Sequence, residues 1–217
     1  NFYWKNKSKI NKIYPYLTHD IKADVLVIGG GIAGALTTYF LAKEGANVVT
    51  VEKNIIGFGN TIADTAALEY QLESEMSKLE KSIGRKDATR IYKLCLDSIS
   101  KIENINKEFK APTGFLRQDN IYFTNKFMQR GAVAKEFDKR KDSGFDAVYI
   151  DSHSLVNLNS GIVTKNASAI MNPYSFTQGL FEYLDTMDNV KIFENTKIDD
   201  IKCRIDEVEC KTHNNFK

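Results

Sequence analysis

VLVIGGGIAG, residues 25–34, is an apolar run broken by three consecutive glycines. Before the break, residues 23–28 (ADVLVI) are short, rich in β-branched residues and nearly all apolar, the pattern of a parallel strand buried on both faces. After it the period changes. Ala33, Leu36 and Phe40, with Ile32 and Tyr39, recur at three- and four-residue intervals up to Lys43, which predicts a helix, and Gly45 is placed to stop it. Residues 47–53 (NVVTVEK) then read as a second β-branched strand ending at Glu52. Strand, glycine turn, helix and strand make a βαβ unit of the size expected for a parallel pair with a crossover helix.

Within that unit the spacing Gly29-x-Gly31-x-x-Gly34 fits the dinucleotide fingerprint. Gly29 allows the tight turn out of the strand, Gly31 lets a pyrophosphate approach the backbone, and Gly34 lets the helix pack closely on the sheet. The helix N-terminus beyond Gly31 offers unpaired N–H groups and the positive end of a dipole, both favourable to a phosphate. Glu52 stands roughly 20 residues beyond the first glycine, where a carboxylate can accept both hydroxyls of an adenosine ribose and disfavours a 2′-phosphate. The fingerprint alone suits FAD and NAD equally.

Composition limits the alternatives. The 217 residues are 42% hydrophobic and 11% aromatic, enough to bury a core of one or two domains. Lys and Arg number 30 against 28 Asp and Glu, a balance too even for nucleic acid or an anionic membrane as the main partner. The longest apolar run falls far short of the roughly 20 residues that cross a bilayer, and residues 1–20 lack the layout of a secretory signal, so a cytoplasmic location is expected. Cys95, Cys203 and Cys210 have no Cys-x-x-Cys spacing, and three scattered histidines suggest no metal site. The chain begins without methionine and stops at the polar THNNFK after a strand, so it is expected to be part of something longer.

Residues 54–73, NIIGFGNTIADTAALEYQLE, follow the second strand. Asn60, Thr61, Ala63, Thr65, Ala66 and Ala67 are too small to build a core, and Leu68, Leu72 and Leu79 predict one face of a helix to about Ser82. The small residues then occupy the loop and first turn of that helix, where an anion or a flat ring could approach the backbone. A close helix contact that needs alanines is the alternative. Further on, residues 87–109 predict a long helix capped by Asp87, with Ile91, Leu94, Ile102 and Ile105 inward. Strands are expected in 114–125, 146–151 and 167–173, with a helix from about Lys126 to Lys141 between the first two and another from Tyr174 to Met187. Asp206 and Glu207 read as the two-residue tip of a hairpin that would set Cys203 opposite Cys210; both are expected to be free thiols.

DVLVIGGGIAG, the VEK with GFGNTIADTAA after it, and KIFENTKI at 191–198 together resemble the N-terminal half of FAD-dependent oxidoreductases of the D-amino-acid oxidase superfamily, which includes glycine oxidase, sarcosine oxidase and D-amino-acid dehydrogenase. The aromatic lead before Asp24 is similar to that of the amine-oxidising members. The resemblance implies an α/β, Rossmann-like FAD-binding domain of the glutathione-reductase type in segments 1–112 and 175–217, interrupted at 113–174 by the start of an α+β substrate domain. It implies FAD as cofactor, with pyrophosphate on the backbone of Ile32 and Ala33, ribose on Glu52 with Lys53 beside it, and phosphates near Asn60 and Thr61. Thr65, Ala66 and Ala67 would line the approach to the flavin, where relatives often carry Ala-Gly-Gly, and Ile198, ending its strand, would hold adenine through backbone groups.

The same resemblance implies a small amine or amino-acid substrate, oxidised by hydride transfer to flavin N5, with the residues that hold it beyond Lys217. Tyr122, Tyr149 and Tyr174 are candidates for the substrate face. A hydroxyl substrate, as in glycerol-3-phosphate dehydrogenases, and an inactive fragment are the competing expectations.

Overall fold

A computed structural model describes residues 3–9, 12–151, 153 and 157–217. In chain order the first elements are α1 (Tyr3–Lys7), β1 (Val25–Ile28), α2 (Ile32–Lys43), β2 (Val48–Val51), β3 (Ala67–Glu69), α3 (Met76–Ile83) and α4 (Arg85–Glu108). There follow β4 (Leu116–Thr124), α5 (Arg130–Asp142), β5 (Ala147–Ile150), β6 (Ser160–Ile170), α6 (Pro173–Leu184), β7 (Val190–Phe193), β8 (Ile198–Cys203) and β9 (Val208–Thr212).

Two compact units divide the chain. The first holds the residues up to Thr65, Asn106–Thr113 and those from Asn172 onward. Its centre is a parallel sheet in the order β1-β2-β7, with Val25 opposite Val48 and Val48 opposite Val190. All four residues of β2 are buried, as befits the middle strand of a covered sheet. Its one polar member, Thr50, is satisfied by a 2.7 Å hydroxyl contact with Thr38 of α2. The far end of α2 is finished by Asn189, whose Nδ2 donates to the carbonyls of Ala42 (3.0 Å) and Ala46 (2.8 Å). In α6, Asn172 caps the helix through Ser175 N–H and Pro173 occupies the first turn, where no N–H is needed.

The second unit, Ala66–Ile105 and Gly114–Met171, is built on an antiparallel sheet with β6 in the middle. β4 pairs along one side of it, and β5 and β3 share the other. Helix α5 packs on this sheet through Val133 and Phe137 against Ala147, Ile162, Tyr122 and Tyr149. A second cluster gathers Tyr70, Met76, Tyr92, Ile99, Phe145, Ala167 and Ala169. At the heart of the unit lies a charged pair, Arg140 and Glu136, both essentially without exposure. Arg140 Nε donates to Glu136 Oε1 (3.0 Å), its two amino groups donate to Tyr70 Oη (2.8 Å) and Gln71 Oε1 (3.0 Å), and its guanidinium faces the rings of Tyr70, Tyr92 and Tyr122. Glu136 in turn accepts the N–H groups of Met76 and Ser77, capping α3 from outside the helix. Burial raises the pKa of Tyr70 and Tyr92, and burial with Glu75 nearby pushes Tyr122 up to about 12, so all three rings stay neutral around the cation.

Several local expectations are corrected. Residues 66–82 do not form one helix: Ala67–Glu69 is a strand antiparallel to β6, with Leu68 opposite Ala169, and the helix begins only at Met76. The edge of β6 that β5 leaves unpaired supplies the partner that local propensity could not foresee. Because that strand and α3 pack in the second unit, residues 66–105 leave the first segment to which 1–112 assigned them. Helix α4 starts at Arg85, so Asp87 lies in its first turn rather than at its cap. Its buried residues are Ala88, Tyr92, Ile99 and Ile105, while Leu94 is half exposed, because Tyr92 stacks on Tyr70 and Phe145 and sets the rotation of the helix.

The hairpin register also differs. Cys203 pairs with Val208 and Cys210 with Ile201, since the turn takes four residues, 204–207, and is closed by Arg204 N–H on the Glu207 carbonyl at 2.8 Å. The two cysteines are therefore diagonal neighbours, wider apart than a disulfide spans. All three cysteines are free. A thiol titration of the denatured, unreduced protein is expected to count three per chain; a count of one would mean that the hairpin pairs as Asp-Glu tip geometry requires.

Candidate active site: a glycine turn faced by Glu52 and Thr61

The site is built where β1 meets α2. Gly29 adopts φ +115, closed to residues with a Cβ except at a cost, and its N–H is held by the Val51 carbonyl at 2.8 Å. Gly34 is required by contact rather than conformation: a Cβ there would stand 1.9 Å from the Gly29 carbonyl oxygen, so the first turn of α2 rests directly on the end of β1. At Gly31, the residue before the helix, an added Cβ would come 3.2 Å from Thr61 Oγ1. The Ile32 N–H donates to that same oxygen at 3.0 Å. Ala33 and Gly34 follow in the first turn, where N–H groups have no acceptor within the helix.

Glu52 directly follows β2 and turns its carboxylate back over the glycines. Its Oε2 accepts from Gly30 N–H and its Oε1 from Asn54 N–H, each at 2.8 Å. A carboxylate has about four acceptor positions, so both oxygens keep capacity for a further donor. Lys53 is exposed beside it. Thr61 lies in a 3₁₀ turn, Asn60–Ala63, buried next to Gly31, while Asn60 is exposed at the start of that turn. Trp4 of α1 donates its indole N–H to the Asp64 carbonyl at 2.9 Å, just after the turn.

The structure thus brings together Gly29, Gly31, Ile32, Ala33, Gly34, Glu52 and Thr61 in the first unit. Thr65 ends that unit on an exposed stretch, and Ala66 and Ala67 open the second, Ala66 with the left-handed φ of +71 that favours glycine. Ile198 is the first residue of β8, not the last of the strand 191–198. β7 stops at Phe193, and Ile198 packs its side chain with Leu17, Val49, Val51 and Phe193. The three tyrosines are accounted for by packing or bonding: Tyr174 is buried with its ring against Gly57, Tyr149 stacks on Phe137, and Tyr122 donates to Glu75 and covers Arg140. Sequence reasoning passed over Glu194 and Thr196. The signal was a carboxylate placed straight after a strand, as Glu52 is after β2.

Residues 24–216 match the family model of the FAD dependent oxidoreductases called DAO. The chain belongs to this family of FAD-dependent oxidoreductases. Among curated proteins, the chain is 27% identical over 201 residues to the Bacillus subtilis protein named "Putative Rieske 2Fe-2S iron-sulfur protein YhfW", covering 92% of this chain and 39% of that one. Among solved DAO-like folds, glycine oxidase from Geobacillus kaustophilus superposes with a TM-score of 0.71 at 18% identity, covering 91% of this chain and 53% of its own. An L-amino acid deaminase from Proteus vulgaris, lacking its specific insertion sequence, gives 0.71 at 17% identity over 94% of this chain and 54% of its own. The chain spans about half the length of these structures. Among the described residues, no helix is long and apolar enough to cross a membrane and no group of three or more metal-binding side chains occurs.

Proposed function

We propose that the protein is an FAD-dependent oxidoreductase of small amines or amino acids, the flavin accepting a hydride at N5 from the carbon that bears the amine. The observation that carries the cofactor assignment is the bare helix end at Gly31, with the Glu52 carboxylate on one side and the Thr61 hydroxyl on the other. Two features support a pyrophosphate here: a Cβ at Gly31 would come within 3.2 Å of Thr61 Oγ1, and the positive end of α2 lies beside it. The bound flavin supplies the two-electron oxidation itself.

The chain's own groups bind and orient. Glu52 accepts the ribose hydroxyls with its remaining lone pairs. Thr61, already an acceptor for Ile32 N–H, has its hydroxyl proton left to donate to a phosphate oxygen, with Ala33 N–H and Asn60 beside it. Lys53 lies next to the ribose carboxylate, and Thr65 and the backbone at Ile198, in the same unit, are assigned to the cofactor by the same reading. Glycine oxidase and L-amino acid deaminase among the fold neighbours support the amine or amino-acid substrate, and an L-alpha-glycerophosphate oxidase among them keeps a hydroxyl substrate as the alternative. Fold alone carries a substrate class only as analogy.

The test is to purify the full-length protein, record its flavin absorbance, and add glycine, sarcosine, D- and L-amino acids and glycerol 3-phosphate without oxygen. Bleaching by an amine is expected; bleaching by glycerol 3-phosphate alone would transfer the protein to hydroxyl substrates, and a colourless protein that takes up no FAD would end the cofactor reading. Glu52→Ala is expected to weaken FAD by about 1–3 kcal/mol, the loss of charge-assisted bonds at a half-buried site. An unchanged dissociation constant by calorimetry would remove Glu52 from the ribose.

A further inference from the structure

Glu194, the residue after β7, has no exposed surface. A buried carboxylate ordinarily has a cation beside it, yet among the described residues none forms an ion pair with this one. Both oxygens are committed to backbone instead. Oε1 accepts Ile56 N–H at 2.8 Å and Oε2 accepts Tyr14 N–H at 3.0 Å, joining segments 138 and 180 residues away in sequence.

Ile56 is the link to the glycine turn. Its carbonyl accepts from Gln178 Nε2 at 2.8 Å, so its peptide is gripped on both sides. The next N–H, of Gly57, donates to the Gly30 carbonyl at 2.9 Å, and the buried Ile56 side chain reaches within 2.8 Å of where a Cβ on Gly30 would stand. Thr196 N–H on the Glu52 carbonyl (2.8 Å) and Asn195 N–H on the Asn54 carbonyl (2.9 Å) close the other side of the loop.

We infer that Glu194 is a positioning residue for the dinucleotide site. By holding the Ile56 peptide it fixes the loop 52–57 against the glycine turn, and with it the Glu52 carboxylate, and through Tyr14 it anchors the N-terminal lead to the same point. The inference takes its ligand from the FAD reading above; the geometry stands without it.

A carboxylate suits the task because two N–H groups converge on one side chain. Glutamine offers one oxygen and an amide NH₂, so Glu194→Gln sets donor against donor at one of the two bonds. Without cofactor the loop can relieve that contact by turning toward water. Cofactor binding needs the loop formed, so the lost bond appears as lost affinity.

The experiment uses the full-length protein stripped of flavin and titrated calorimetrically with FAD and with ADP, which carries the adenosine half alone. Glu194→Gln is expected to weaken both ligands by a common factor, on the order of tenfold to a hundredfold. Gln178→Met combined with it is expected to lose less than the product of the single losses, because both act through one peptide. Glu194→Asp keeps the charge but is one methylene too short for both bonds, and carries the test if the glutamine variant does not fold: a smaller loss for both ligands is expected. Affinities within about twofold of wild type in whichever variant folds, or FAD weakened with ADP unchanged, overturn the assignment. Wild-type protein that takes up neither ligand overturns it together with the cofactor reading, whereas wild-type uptake with an indifferent variant overturns this one alone.

Discussion

Arg140→Met is expected to destabilise the second unit by about 3–5 kcal/mol, the cost of leaving a buried charge without its partner. Methionine matches much of the volume, so the effect isolates the guanidinium. Without it, Glu136 keeps the two N–H groups of α3 but loses its cation, and the hydroxyl of Tyr70 and the amide of Gln71 lose a donor. The three tyrosine rings, at 5.5, 5.8 and 5.0 Å from the guanidinium carbon, lose the charge they surround. Urea denaturation read by circular dichroism measures the change. Glu136→Gln made alongside Arg140→Met is expected to recover part of the loss, since removing both charges costs less than removing one. A single variant within about 1 kcal/mol of wild type would show that the pair is solvated.

Gly34→Ala is expected to abolish FAD retention and to cost about 3 kcal/mol of stability, the upper end for overpacking. The obstacle is a carbonyl oxygen of the main chain, 1.9 Å from the new methyl, and it cannot swing aside as a flexible side chain would. Helix α2 has to lift from the end of β1, which carries Ile32 away from Thr61 and opens the cradle at Gly31. Gly131→Ala in α5, where a Cβ meets nothing within 4 Å and φ is not left-handed, is the comparison that separates crowding from the general effect of losing a helical glycine. Full flavin content in purified Gly34→Ala protein would refute the close packing of helix on strand.

The parallel half of the fold was readable because its signals are local. The apolar run at 25–28, the glycine spacing and the β-branched run at 48–51 each announce an element within a few residues, and a buried parallel strand looks apolar throughout. The site residues that lie in those elements came with them. What failed depended on partners far away in sequence. Leu68 and Leu72 have helical spacing, but residues 67–69 are claimed by the edge of β6, a hundred residues on, and no window around them contains that fact. The rotation of α4 follows Tyr92, whose ring meets Tyr70 and Phe145, partners that the spacing of isoleucines and leucines does not reveal. For the hairpin, the register hung on whether two residues or four make the turn, and Asp-Glu has neither the glycine nor the asparagine that would decide it. Glu194 was invisible for a related reason: its donors, Ile56 and Tyr14, are main-chain groups, which carry no mark in the sequence.

Trp4 is the single tryptophan of the chain, and its indole N–H is tied to the carbonyl that follows the Thr61 turn. Excited at the red edge of indole absorption, these 217 residues therefore emit from one ring, in contact with the segment that meets the helix end at Ile32. Ultraviolet emission becomes a local gauge: a shift in its colour on adding ADP, which does not absorb where indole emits, would report a changed environment at α1 and at the turn to which it is tied.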